Sequence, residues 1–267
     1  MTNTIEELRW APTTPRMPVM FVGHGSPINA ITDNPFATEW LRLGKELPKP
    51  SAIVCVSAHW RTSGAKVTAM ERPETIHDFG GFPQELFNMQ YPAVGSPSEA
   101  HEIAELTHKL ITFDHEWGLD HGTWSVLCRM YPEADIPVVQ ISLDVNRTPE
   151  QHVALARELS ELRNRGVLVM GSGNIVHNLK LLGAEGTAFD WATEFDGLSA
   201  DLIQKRDLRS LANYKDLGVA AMLSVPTDEH YLPMLYALAL ADPEDDITFF
   251  NSQIVLGSAS MRSFIIG

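Results

Sequence analysis

Residues 137–170 read PVVQISLDVNRTPEQHVALARELSELRNRGVLVM, and their pattern decides the fold class. Two short apolar runs, residues 137–142 (PVVQIS) and 167–170 (VLVM), flank a segment with a readable helix start. In Thr148-Pro149-Glu150-Gln151 a hydroxyl stands at the N-cap, proline at the first helical position and an amide at the third, which together satisfy or remove the free N–H groups of a first turn. The spacing predicts a helix over residues 150–165, stopped by Gly166 immediately before the second run. Strand, helix and strand in that order predict an α/β fold.

Working outward, two further apolar runs read as buried strands, residues 17–22 (MPVMFV) and 52–57 (AIVCVS). Runs that are apolar at every position, instead of at alternate positions, suit a sheet covered by helices on both faces. Ser96-Pro97-Ser98-Glu99 repeats the helix-start signature and predicts a helix over about residues 98–110. Residues 247–250, 253–256 and 260–266 look like further strands, so the expected sheet is central, mixed and largely parallel. No internal repeat, low-complexity tract or Gly/Ser linker divides the chain, which predicts one domain over residues 1–267.

Composition narrows the function. Twenty Lys and Arg against 34 Asp and Glu give a formal charge of −14, which opposes binding to nucleic acid or to an anionic membrane surface. Cys55 and Cys128 are too few and too far apart for a zinc knuckle or a disulfide framework. Residues 1–16 hold no apolar stretch of the signal-peptide kind, and no run approaches the ~20 apolar residues of a spanning helix. Together these features predict a cytoplasmic location.

The chemistry sits in the histidines. His24 follows the run 17–22 in Gly23-His24-Gly25-Ser26-Pro27, His59 follows the run 52–57 in Ser57-Ala58-His59-Trp60, and His177 follows the run 167–170 through Gly171-Ser172-Gly173-Asn174. Ligands of open α/β sheets bind at the carboxyl ends of the strands, so three unrelated segments would deliver imidazoles to one crevice. His230 precedes an apolar helix expected over residues 234–241, with Pro233 in its first turn, and His121 lies in a polar turn before another apolar helix. A single strand-end histidine is as a rule a hydrogen-bonded structural residue; convergence is what points to a metal. Several neutral imidazoles suit Fe(II), Zn(II) or another late first-row ion.

Other features carry less. His101, His108, His115 and His152 sit in polar contexts and are expected to be solvated. The turn Gly171–Gly173 reads as a tight strand-to-helix connection with Asn174 near the helix cap. The loop over residues 76–83, with Phe79, Phe82 and two glycines, reads as a wall over an aromatic ring, or else as a surface loop packed by its own phenylalanines. Trp60 and Trp124 fit core packing as well as substrate contact. Neither the Gly-x-Ser-x-Gly elbow, the dinucleotide fingerprint nor a phosphate loop is present.

The chain resembles the class III extradiol ring-cleaving dioxygenases, and within them the DOPA-type branch. The resemblance runs through the His24, His59 and His177 motifs above, and through His77-Asp78-Phe79-Gly80-Gly81-Phe82-Pro83, Asp120-His121-Gly122-Thr123-Trp124 and Asp228-Glu229-His230. It implies His24, His59 and His230 as metal ligands, and His177 as acid–base residue and as a fourth ligand when zinc is bound. His121 would hydrogen-bond substrate or oxygen. Independently of the resemblance, His77 is the substrate-contact candidate of the loop over residues 76–83 if that loop is a wall. Related enzymes complete the triad with a carboxylate, which keeps Glu229 open as the third ligand. The implied activity is O2-dependent opening of the ring of L-DOPA or a related catechol on one divalent metal, Fe(II) for activity or Zn(II) at rest. The product would be a muconic semialdehyde, which for L-DOPA is seco-DOPA cyclising to betalamic acid. A zinc hydrolase using the same imidazoles, or a non-catalytic binding protein on the same fold, are the alternatives.

Overall fold

The computed structural model describes residues 16–267; the reading of residues 1–16 as lacking a signal peptide falls almost wholly outside them. Ten strands are described: β1 (Val19–Gly23), β2 (Ala52–Thr62), β3 (Ala65–Thr68), β4 (Ile111–Asp114), β5 (Val138–Asp144), β6 (Val167–Gly173), β7 (Ile247–Phe250), β8 (Ile254–Val255), β9 (Ala259–Ser260) and β10 (Ser263–Ile266). The α-helices are α1 (Pro35–Glu46), α2 (Gln84–Phe87), α3 (Pro97–Leu106), α4 (His121–Met130), α5 (Pro149–Arg157), α6 (Glu161–Asn164), α7 (Asp190–Gln204), α8 (Leu208–Ala212), α9 (Val219–Ser224) and α10 (Leu232–Ala239). Among the described residues no helix is long and apolar enough to cross a membrane.

Eight strands form one sheet in the order β4-β3-β5-β2-β6-β1-β10-β7. Its centre, β5-β2-β6-β1, is parallel; β10 and β7 continue it antiparallel, and β3 joins β5 antiparallel. The uninterrupted apolar runs now have a cause. Val19 and Phe21 of β1, Val54 and Val56 of β2, and Val167 and Val169 of β6 point into one core with α3, α5, α7 and α10. Their neighbours Met20, Val22, Ile53, Cys55, Leu168 and Met170 point into a second core with Trp40 of α1 and Trp124 of α4. Successive side chains alternate faces, so a strand buried on both sides needs apolar residues throughout.

Both predicted helix starts are formed. Ser96 accepts from Glu99 N, and Thr148 with Gln151 makes a reciprocal capping box. The helix ends differ from expectation. The first helix stops at Leu106, and His108 and Lys109 take positive φ values of 50° and 64°, with Lys109 N bonded to Ala104 O at 2.7 Å. The second breaks after Arg157 into a tight turn and restarts as α6, which brings Leu159, Leu162 and Arg163 inward. Arg163 is buried there, bonded to Met17 O, Leu240 O and Asp245.

Three further expectations are corrected. Gly171 and Gly173 lie within β6 and not in a turn, and no helix follows until α7. A Cβ on Gly171 would stand 2.2 Å from Pro233 O, and one on Gly173 2.1 Å from His230 O. The glycines therefore let α10 and the loop before it press against the sheet, and α10 is buried on nearly every side. Residues 253–256 do not join the main sheet, since β8 pairs only with β9 in a separate ribbon. His152 is not solvated: it is 1% exposed and its Nδ1 meets the Tyr236 hydroxyl at 2.9 Å, whereas His101, His108 and His115 are exposed.

Candidate active site

The carboxyl ends of the adjacent parallel strands β2, β6 and β1 open onto a cavity of about 420 Å³. His24 enters it directly after Gly23. His59 lies inside β2, where pairing with β5 loses register between Val56 and Arg61, so the irregularity turns its imidazole toward the cavity. His121 is the first residue of α4, behind the capping Asp120. His177 is carried by the segment after β6, with its N–H bonded to Ser224 O and a backbone bridge to Ala259. His230 sits before α10, its carbonyl accepting from Asn174 N at 2.8 Å.

These five imidazoles gather at one end of the cavity. His24 Nε2 lies 3.1 Å from His59 Nε2, His59 and His121 have ring centroids 3.9 Å apart, and His177 stacks on His230 at 3.5 Å. Donor atoms of His24, His59 and His230 fall within 4.8 Å of one another; so do those of His59, Asp78 and His121, and those of His177, Glu229 and His230. Glu229 thus groups with His177 and His230, its Oε1 lying 3.4 Å from His230 Nδ1.

The surroundings fix which nitrogen is free. The Ser172 hydroxyl donates to Gly122 O at 2.5 Å, so its oxygen accepts from His24 Nδ1 at 2.9 Å and leaves the His24 Nε2 lone pair exposed. Asp78 Oδ2 lies 3.3 Å from His59 Nδ1 and 3.0 Å from His121 Nδ1, while Asp78 Oδ1 accepts from His121 N at 2.9 Å. A carboxylate on Nδ1 orients the ring and directs the lone pair to Nε2. Below this layer Asp120 accepts from Ser57 and Gln140, both at 2.7 Å.

Burial, followed by the neighbouring imidazoles, holds His24 and His230 well below the usual histidine range. Burial and His121 lower His59 against the pull of Asp120 and Asp78. Burial takes His177 down to about 4, with Glu229 opposing. For Asp78 burial works upward, but the His121 and His59 contacts keep it below the ordinary carboxylate range. His24, His59, His177 and His230 are therefore neutral at pH 7, the form in which imidazole binds metal. Two Nε2 lone pairs facing each other at 3.1 Å repel unless a cation lies against both, and nitrogens sharing one metal at about 2.1 Å sit roughly 3–3.4 Å apart. The donor set fits a late first-row divalent ion.

Residues 17–255 match the family described as the catalytic LigB subunit of aromatic ring-opening dioxygenase. The chain belongs to that family. It is an extradiol aromatic ring-opening dioxygenase of class III. It is 46% identical to the 4,5-DOPA dioxygenase extradiol of Escherichia coli K12 across all of both chains. It is 35% identical to the 4,5-DOPA dioxygenase extradiol of Beta vulgaris, over 83% of this chain and 85% of the relative. The crystal structure of an uncharacterized Escherichia coli K12 protein superposes with a TM-score of 0.82 at 43% identity, covering 94% of this chain and all of the other.

Not every residue singled out in the sequence lies in the cavity. His77 faces away, its Nε2 2.9 Å from Met89 O, and lines a separate cleft with Arg72, Thr75 and Phe87. Its neighbour Asp78 takes the inward position, against His59 and His121. Phe79 and Phe82 of the same loop line the cavity. Trp60 stacks on Trp117 and Trp124 is fully buried, so both belong to packing. Sequence reading passed over Asp78, and the only signal for it was its place in the quoted motif. Asp78→Asn keeps the shape but not the charge, and is expected to weaken metal binding by about 10–100-fold, measured by competition with a chelator; unchanged affinity would deny Asp78 its orienting role.

Proposed function

We propose that the chain opens the aromatic ring of L-DOPA or a related catechol with O2, as one catalytic domain over residues 1–267 working in the reducing cytoplasm, where Cys55 and Cys128 stay free thiols. The observation that carries this reading is the placement of five imidazoles, four of them held neutral by burial, at one end of a ring-sized apolar cavity in a chain of the ring-opening family. His24, His59 and His230 would hold the metal, Fe(II) for activity with Zn(II) as a resting occupant, and His177 would join them when zinc is bound. When bound, Fe(II) supplies the Lewis acidity and the electron exchange that allow a catechol to react with O2.

The chain's own groups do the rest. His177, neutral and beside His230, accepts a proton from a catechol hydroxyl at its ring nitrogen and returns it to oxygen as the ring opens. His121, oriented by Asp78 at Nδ1, presents its Nε2 lone pair to the second hydroxyl and accepts a hydrogen bond from it. Phe79 and Phe82 enclose the ring and exclude water. A carbon–carbon bond beside the diol breaks, both atoms of O2 stay in the product, and the product is a muconic semialdehyde; from L-DOPA this is 4,5-seco-DOPA, which cyclises to betalamic acid. His77, outside the cavity, would serve the substrate only through its contact with Phe79.

Mass spectrometry of the product formed from L-DOPA or a simple catechol under isotopically heavy O2 tests the reading. Incorporation of both heavy atoms into a ring-opened yellow product is expected. A product formed without O2 would favour a zinc hydrolase, and bound but unchanged catechol would favour a binding protein.

A further inference from the structure

Apart from the five imidazoles and Ser26, the cavity is lined by apolar residues. Its outer half is formed by Pro27, Phe82, Leu179, Leu182, Val255 and Leu256, and Leu179, Leu182 and Leu256 are 57%, 52% and 40% exposed. Among the described residues no Lys or Arg lines it. The arginines of the neighbouring segments have other partners. Arg61 turns to Glu229 and to a small crevice with Asp144 and Asp228, Arg129 binds Asn29 O and Asp33, and Arg262 binds Asp196. The acidic groups of the inner end, Asp78 and Glu229, add negative potential, as does the net charge of −14.

We infer that the outer half of this cavity selects catechols carrying an uncharged, apolar ring substituent over catechols carrying a carboxylate. The inference rests on the ring-cleavage reading and specifies its substrate class. A catechol whose two oxygens face the imidazoles must direct a substituent on the far side of its ring toward the leucine rim. At about 420 Å³ the cavity lies within the range of roughly 300–1,000 Å³ that holds drug-sized ligands, so it has room for more than a bare ring. There an alkyl chain gains about three- to fourfold in affinity per buried methylene. A carboxylate in the same place loses water and finds no Lys or Arg among the lining residues, and the zwitterion of an amino acid meets the same penalty.

The test uses the full Fe(II)-loaded chain and initial rates of oxygen uptake. The substrates are 3-(3,4-dihydroxyphenyl)propanoate, its methyl ester, 4-propylcatechol and L-DOPA. The ester and propylcatechol are expected to show KM values at least about tenfold below those of the acid and L-DOPA, with kcat within about threefold. The difference should persist in about 0.5 M salt, where long-range repulsion is screened. Leu182→Arg should raise kcat/KM for the acid about tenfold and lower it for propylcatechol; Leu179→Lys, at a more exposed rim position, repeats the test should the first variant fail to fold. Equal or better turnover of the acid, a preference that vanishes in salt, or an unchanged ratio in the folded variants would overturn the inference and leave ring cleavage standing. No turnover of any of the four with iron verified in place would overturn ring cleavage, and this inference with it.

Discussion

His24→Ala is expected to remove bound metal and ring cleavage together while leaving the fold intact. His24 offers Nε2 to the space shared with His59, and its Nδ1 is engaged by the Ser172 hydroxyl, so both of its ring nitrogens are turned to partners within the site. Ser172 keeps its bond to Gly122 O in the variant, which preserves the junction between β6 and α4. Loss of an orienting neighbour of a ligand costs about 10–100-fold in metal affinity, so loss of a ligand, the role proposed for His24, should cost at least about a hundredfold. Chelator competition reads the affinity, circular dichroism the fold, and oxygen uptake the activity. A folded His24→Ala protein with full metal occupancy would place the ion elsewhere, with the His177, Glu229 and His230 group the next candidate.

His177→Ala separates metal binding from proton transfer. If His177 works as the acid–base residue, kcat should fall by about 10²–10⁴-fold while Fe(II) affinity stays within about tenfold. The split is informative because His177 stacks on His230 at 3.5 Å, close enough for either role. Parallel loss of iron and of rate would make it a ligand of the active metal, and an unchanged kcat would end its assignment to catalysis. Zinc affinity measured on the same variant shows whether His177 completes the resting site.

The central strands were readable because both of their faces are buried. Val54 and Val56 serve one core while Ile53 and Cys55 serve the other, and a run with no polar position is what that arrangement demands. The capped starts at Ser96 and Thr148 were local and therefore legible. The convergence of His24 and His177 was legible from their places just beyond strands, whereas His59 lies inside β2 and reaches the cavity where the pairing with β5 loses register. What escaped depends on partners distant in sequence. Gly171 and Gly173 read as a turn, yet their lack of a Cβ answers the approach of Pro233 and His230, some 60 residues onward. His152 sits among polar neighbours in the chain, but Tyr236 from α10 draws it inside. β3 and β4 are four residues each, too short for periodicity to declare them. In the loop over residues 76–83 the sequence offered two adjacent polar groups, and only the chain's path shows that Asp78 faces the imidazoles and His77 faces away.

The most direct measurement is oxygen uptake by protein reconstituted anaerobically with Fe(II), beside zinc-loaded and metal-free preparations, with L-DOPA and uncharged catechols as substrates. The account predicts uptake by the iron form alone, one O2 per catechol, with a yellow product. Uptake by the metal-free protein, or none by an iron-loaded preparation offered any catechol, would contradict it.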